Sequence, residues 1–326
     1  MIPSPDFIRE HNGVSREQAM ELAALTNDGM LSLFAVTDDL RRSFKGNSVN
    51  LCSIVNAKSG LCPENCSFCA QSAHYKTGAK SYPLLRTSTI VEKAVHAAGT
   101  GARGFSIVTS GYGIENKTEL DDIAEALTAI AGKTQLYRCA SLGILSEQEL
   151  NRLKQAGLTK YHHNLETSRS FFPSVCTTHP YDDDIAAIRA AKAAGLTVCS
   201  GGVFGIGESW QDRVELSFTL KDLDVDSIPV NFLNPIDGTP LEGKHLLTPW
   251  ECLKIIALFR LVLPDKDIVI CGGREVNLRD MQSMIFSAGA NGIMTGGYLT
   301  TAGRPAEEDI RMIRDLGLEV AKPMPV

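Results

Sequence analysis

The 326-residue sequence has no apolar run approaching the ~18–20 residues of a bilayer-spanning helix, which excludes that class of membrane protein. It has no large excess of either charge: 32 Lys and Arg stand against 38 Asp and Glu, a net charge of −6. Such a balance gives no general attraction to nucleic acid or to an anionic membrane surface. Fixed-period repeats, low-complexity tracts and interdomain linkers are absent, so the length is read as one large domain. The opening Met1-Ile-Pro-Ser-Pro-Asp6 has no basic segment followed by an apolar one; the expectation is a cytoplasmic chain without a secretory signal. What is present, 44% hydrophobic and 21% charged residues, is the composition of an ordinary globular protein.

Residues 15–45 read as helical, opened by Ser15 and Gln18 at capping-box spacing. Short β-branched runs then alternate with amphipathic stretches. Strands are expected at 51–56, 105–110, 135–141, 160–166, 197–203, 227–233, 267–272 and 292–298. Thr89 with Glu92, Ser146 with Glu149, and Thr248-Pro249-Trp250-Glu251 mark helix starts; Gly157 and Gly195 mark helix ends. Eight strands alternating with helices predict an α/β fold, a (βα)8 TIM-type barrel, with an open doubly wound sheet as the alternative. The implied organisation is an N-terminal helical extension over 1–50, a barrel over 51–304, and a C-terminal helix and tail over 305–326 containing Pro305, Pro323 and Pro325.

Nine cysteines are many for such a chain. In a reducing compartment they act as ligands or small buried hydrophobes rather than disulfides. Cys62-Pro-Glu-Asn-Cys66-Ser-Phe-Cys69 has the spacing C-x3-C-x2-C and follows the first strand, at the end of a barrel where active sites are built. Three thiolates on one compact loop can hold three irons of a 4Fe-4S cube and leave the fourth open to a small molecule. The competing reading is a zinc knuckle with His74 as fourth ligand.

C-x3-C-x-aromatic-C after the first strand resembles the radical S-adenosylmethionine enzymes. The resemblance implies that the open iron binds the amino and carboxylate groups of S-adenosylmethionine. One electron then cleaves its C5′–S bond to give a 5′-deoxyadenosyl radical, which attacks an unactivated C–H bond. Further segments are similar to the biotin synthase family. They include Asn56-Ala-Lys-Ser-Gly60, Cys69 to Gly78, Tyr161 to Ser168, Val198-Cys-Ser-Gly-Gly202, Gly205-Ile-Gly-Glu208, Pro229 to Leu233, Gly238-Thr-Pro240, Gly273-Arg-Glu275 and Leu299-Thr-Thr301. The implied activity is sulfur insertion into dethiobiotin to form biotin. Dethiobiotin is then the substrate, flavodoxin or ferredoxin the electron donor, and the iron–sulfur assembly machinery a partner; a homodimer is expected.

Alternate strand residues share a face, so His162, Asn164 and Glu166 are expected in line. The resemblance gives S-adenosylmethionine Phe68, Asn164, Glu166 and Gly205. It gives the substrate His162, Asn231, Thr300 and Thr301, with Asn231 on the ureido ring and the threonines on the carboxylate. The longer Glu166 is a mild departure from the aspartate of related members. A larger one concerns the auxiliary 2Fe-2S cluster, which the resemblance implies is held by three cysteines and an arginine. Cys139 and Cys199 match, but Ser106 and Val269 stand at the other two positions. Cys52, Cys139, Cys199 and Cys271 fall on the four odd-numbered strands, which share interior layers in such a barrel. They are expected to hold an auxiliary iron–sulfur cluster, with a 4Fe type carrying an extra sulfide favoured and 2Fe-2S the alternative. Cys252 is expected to be structural, and Cys176 lies in a loop near the mouth of the site. Two other readings stay open: a related barrel enzyme such as a hydrogenase-cofactor maturase or lipoyl-type sulfur inserter, and a non-catalytic iron–sulfur or zinc barrel.

Overall fold

The computed structural model describes residues 2–322, so Pro323 and Pro325 of the expected tail lie outside the described residues. Three helices, α1 (Pro5–Glu10), α2 (Arg16–Ala23) and α3 (Met30–Lys45), precede β1 (Ser48–Lys58). There follow α4 (Thr87–Gly99), β2 (Gly104–Thr109), α5 (Lys117–Lys133), β3 (Tyr137–Ser141), α6 (Glu147–Gln155), β4 (Lys160–His162) and α7 (Tyr181–Ala193). Next come β5 (Thr197–Cys199), β6 (Gly202–Phe204), α8 (Trp210–Asp222), β7 (Ser227–Phe232), α9 (Pro249–Val262) and β8 (Asp267–Ile270). The chain ends with α10 (Arg274–Leu278), β9 (Gly292–Met294), α11 (Ala306–Asp315) and β10 (Glu319–Val320).

The named strands pair in parallel, and β9 returns to β1 through Asn50–Gly292, Leu51–Ile293 and Cys52–Met294. That pairing closes the sheet. Because β5 and β6 both pair with β7, they share one place in the ring, which therefore has eight positions. The expected barrel stands and the open sheet does not. The short β10 is an unanticipated addition beside the start of β1. No helix among the described residues is long and apolar enough to cross a membrane.

The capping boxes at Ser15, Ser146 and Thr248 form as expected, each side chain accepting from the backbone three residues on. The Thr89–Glu92 box does not. The Leu85 amide donates to the Ala57 carbonyl (2.8 Å), which ties the incoming chain to β1, and α4 starts at Thr87 without a side-chain cap. Gly157 and Gly195 take positive φ just past α6 and α7, as helix-ending glycines do. The strand expected at 160–166 ends at His162, and the one expected at 197–203 breaks after Cys199. The break has a steric cause. A Cβ at Gly201 would lie 2.0 Å from the Pro229 carbonyl oxygen, and one at Gly202 would lie 2.2 Å from that of Glu166. Only glycines let these three segments meet.

The closing helix is fastened by a fully buried ion pair, Arg274 Nη2 to Asp309 Oδ2 at 2.6 Å. Arg274 Nη1 also donates to Gln282 (2.8 Å). Asp309→Ala leaves the Arg274 charge in the interior with only the longer contact to Glu275 at 3.6 Å, a loss of ~3 kcal/mol by analogy with other broken buried pairs. Urea unfolding should report it, and an unchanged midpoint would contradict the role assigned to the pair.

Candidate active site

Two internal cavities of about 420 Å³ each are stacked along the barrel axis. The upper one lies at the strand carboxyl ends, and the lower one continues toward the strand starts. Ile54, Ser106, His162, Cys271 and Met294 line both and form the partition between them.

Cys62, Cys66 and Cys69 all face the upper chamber. Their loop is held by its own polar groups. Cys69 N donates to Cys66 O (2.9 Å), Ala73 N to Cys62 O (2.8 Å), and Ser72 Oγ to Glu64 O (2.6 Å). Asn65 grips the neighbouring loop in both directions, donating to Thr177 Oγ1 (2.7 Å) and accepting from Thr177 N (2.9 Å). His74 is engaged elsewhere, its Nε2 donating to the Pro63 carbonyl at 2.8 Å, and it does not line the chamber. That removes the fourth ligand from the zinc-knuckle alternative. Burial is the first cause that raises the Cys62 and Cys69 thiols, Cys69 to about 11. For Cys66 the bond to Cys176 comes first and burial second, and the thiol is pushed far up. Clustered thiols of this kind ionise together only when a metal supplies positive charge.

Opposite the loop, His162, Asn164 and Glu166 are in line as expected, although only His162 is in regular strand. His162 Nε2 lies 3.2 Å from Asn164 Oδ1, and Asn164 Nδ2 donates to Glu166 Oε2 (3.3 Å). Glu166 has φ +64°, a left-handed conformation that costs a glutamate ~1–3 kcal/mol and tends to occur at functional sites. Burial raises its carboxyl to about 7, against the opposing bond from Asn164. Phe68 packs on Val175, Ile206 and Leu233 at the chamber edge. Asn231, Thr300 and Thr301 complete the wall. The loop carrying the threonines is anchored by Asn56 Nδ2 to Leu299 O (2.9 Å). Gly205 is not brought to the wall; its amide donates to the Glu208 carboxylate at 2.9 Å, while Val203 faces the chamber.

Cys52, Cys139, Cys199 and Cys271 all line the lower hollow. Their depths differ: Cys271 lies one residue past β8, on the partition, and so borders both cavities. Cys52 and Cys139 flank side-chain-free Gly104, with both sulfurs within 4 Å of the point where its Cβ would be. Cys252 is buried in α9, as expected of a structural thiol.

Residues 58–220 match the Radical SAM superfamily, and residues 229–319 match the Biotin and Thiamin Synthesis associated domain. The biotin synthase of Trichlorobacter lovleyi is 54% identical over 95% of this chain and 93% of its own length. That of Geobacter metallireducens is 54% identical over 94% of this chain and 93% of its own length. The chain belongs to the biotin synthase family. Solved structures agree on the fold. Methylornithine synthase (PylB) superposes with a TM-score of 0.85 at 20% identity, covering 98% of this chain and 97% of that one. The [FeFe]-hydrogenase maturase HydG superposes with 0.81 at 16%, covering 96% and 73%.

One group of site residues in this family member escaped the sequence reading. Glu64 Oε2 lies 2.5 Å from His179 Nδ1, His179 Nε2 lies 3.3 Å from Asp184 Oδ2, and Asp184 Oδ1 lies 2.8 Å from His163 Nε2. Cys176 Sγ joins at 3.5 Å from His179 Nδ1. The chain of charges fastens the cysteine loop to α7 and to the end of β4. Glu64 and His163 lie within segments quoted above and Cys176 in the loop near the mouth, but nothing in their spacing joins them to His179 and Asp184. The bond to Asp184, then that to Cys176, raises the His179 imidazole from 6.5 to about 11. A raised folded-state value stabilises the fold fully below pH 6.5 and is lost as the pH climbs through 11. In the metal-free chain, the stability difference between parent and His179→Gln should therefore shrink steadily with rising pH over that range. A difference that stays constant in urea unfolding at several pH values would refute it.

Proposed function

We propose that this chain forms biotin by inserting sulfur into dethiobiotin, with S-adenosylmethionine as radical source and an auxiliary iron–sulfur cluster as sulfur donor. The stacking of the two cavities carries the reading. A substrate between them meets a three-thiol loop on one side and a thiol-lined hollow on the other, through a partition only one layer of side chains thick. The donor sets fit iron: three raised thiols on one loop above, and four thiols with an unpartnered buried Ser106 hydroxyl below. When bound, the cube at Cys62, Cys66 and Cys69 supplies the electron that splits S-adenosylmethionine, and the resulting radical removes hydrogen from unactivated C–H bonds.

The protein's own groups position and protect. Glu166 accepts from the ribose hydroxyls, Asn164 holds Glu166, and Phe68 covers the adenine from its apolar patch. Asn231 meets the ureido ring and Thr300 and Thr301 the carboxylate; His162, on the partition, orients the substrate over the hollow. Cys52, Cys139, Cys199 and Cys271, which line one hollow, are the auxiliary ligands, with the 4Fe type favoured and 2Fe-2S the alternative. Flavodoxin or ferredoxin delivers the electron, the iron–sulfur assembly machinery rebuilds the store, and the working unit is a homodimer.

Anaerobic protein given a reductant, S-adenosylmethionine and dethiobiotin should yield biotin. Methionine and 5′-deoxyadenosine without biotin would favour a related radical enzyme and overturn the proposed activity. Cys52→Ala and Cys271→Ala should each lower iron content below that of the parent, while unchanged iron would remove them from the ligand set. S-adenosylmethionine should bind more tightly as the pH rises through about 7, where Glu166 becomes a carboxylate able to accept both ribose hydroxyls. Glu166→Gln should flatten that profile in equilibrium binding; a profile unchanged by the substitution would exclude Glu166 from the ribose site.

A further inference from the structure

Lys160 has no task in the chemistry described so far. It opens β4, in register with Cys139 on one side and Thr197 on the other. Its chain runs inside the lower hollow, where Nζ donates to Ser227 Oγ at 3.2 Å, and Ser227 is itself the register partner of Cys199. Among the described residues no carboxylate lies within ion-pair distance of Lys160, nor of Arg103 below it, whose buried Nε has no hydrogen-bond partner. Asp267 lines the same hollow and acts on Lys160 from farther off, but its carboxylate is paired with Lys45 at 2.9 Å. A mostly buried ammonium with no carboxylate in contact is a site able to receive an anion.

The hollow also has its own opening. Past Lys160 it reaches solvent at the strand starts, where exposed Ser48, Thr197 and Asp226 line it. This end lies opposite the chamber of the cysteine loop, and the partition separates the two. A thiol-lined store that gives up sulfur must be refilled, and refilling from above would require the cofactor and substrate chamber to be vacant.

We propose that the lower opening is the entrance for inorganic hydrosulfide and that Lys160 Nζ is the anion-receiving site at its inner end. This rests on the auxiliary-cluster reading above. The step is a ligand addition without redox change. Sulfur arrives and remains as sulfide, the S–H bond of hydrosulfide breaks, and its proton leaves to water as sulfur binds iron.

The test uses the full chain, prepared anaerobically with both clusters and carried through one turnover with S-adenosylmethionine and dethiobiotin. Isotope-labelled sodium hydrosulfide is then added, and label in protein-bound sulfide is followed with time, with iron counted in the same samples. Lys160→Met and Thr197→Trp should each slow uptake about tenfold or more at parental iron content, and added salt should slow the parent but not Lys160→Met. Lys160→Arg should recover most of the rate. Parental uptake in both Lys160→Met and Thr197→Trp, at full iron content, would overturn the entrance and leave the auxiliary-cluster reading standing. Uptake blocked by S-adenosylhomocysteine with dethiobiotin in the upper chamber, and untouched by Thr197→Trp, would overturn it in favour of entry from above. Parent protein holding iron for the loop cube alone would overturn both readings together.

Discussion

The pairing of β9 back onto β1 is the constraint on which the rest depends. Side chains alternate along a strand, so a closed ring of parallel strands sends every second residue into one lumen. Closure therefore brings Cys52, Cys139, Cys199 and Cys271 to a single hollow although they span most of the chain. Several of these strands are only three residues long and have no independent stability. They persist because the outer face of each is buried beneath helices; in α9, Cys252 through Val262 are buried almost without interruption. The Cys52–Met294 contact that closes the ring also sets Met294 into the partition, beside Cys271. Architecture and site are fixed there by the same residues.

The lumen holds its thiols in an unusual electrostatic state. Burial pushes Cys52 to about 11 and Cys139 to about 12, and raises Cys271 well above the usual thiol range. Cys199 is equally enclosed yet is held down at about 7, because the nearby His162 and then Lys160 outweigh the loss of solvation. Cys199, on the strand beside the one that carries His162 and Lys160, is thus the thiol whose surroundings most favour the thiolate. Ligation at the others requires cations to displace protons, which ties occupancy of the hollow to the arrival of metal.

What could be read without coordinates followed from local rules. The eight strands were legible as β-branched runs between helical periods, and the capping boxes at Ser146 and Thr248 from three-residue spacing. Cys62, Cys66 and Cys69 were legible because their loop is contiguous. The four lower cysteines were legible because strand parity is a periodic property, but their depth was not, since depth depends on stagger between strands. Non-local features were hidden. Nothing in the order of residues joins Glu64 to His179, or His163 to Asp184, because those contacts arise only when the loop folds onto α7. The left-handed Glu166 was hidden for a related reason. Its backbone is imposed by partners on β6 and the Gly201 turn: the Glu166 amide donates to Gly201 O (3.1 Å) and its carbonyl accepts from Val203 N (3.0 Å). A propensity argument assigns that position to strand.

The departures from the family pattern make physical sense as a set. The resemblance implies a cysteine at 106 and an arginine at 269, whereas this chain has a serine with an unpartnered hydroxyl and a valine packed on Cys271 and Met294. With valine at 269, β8 offers the hollow no basic side chain. Lys160 enters the same hollow from β4, and its charge is felt by Cys199, Cys139 and Cys52. A basic side chain thus enters the hollow from β4, where β8 has none. At 269 the valine packs against Cys271, the lower thiol that also borders the upper cavity. A cation at the lower side and an apolar contact at the partition grade the hollow from polar to apolar along the axis.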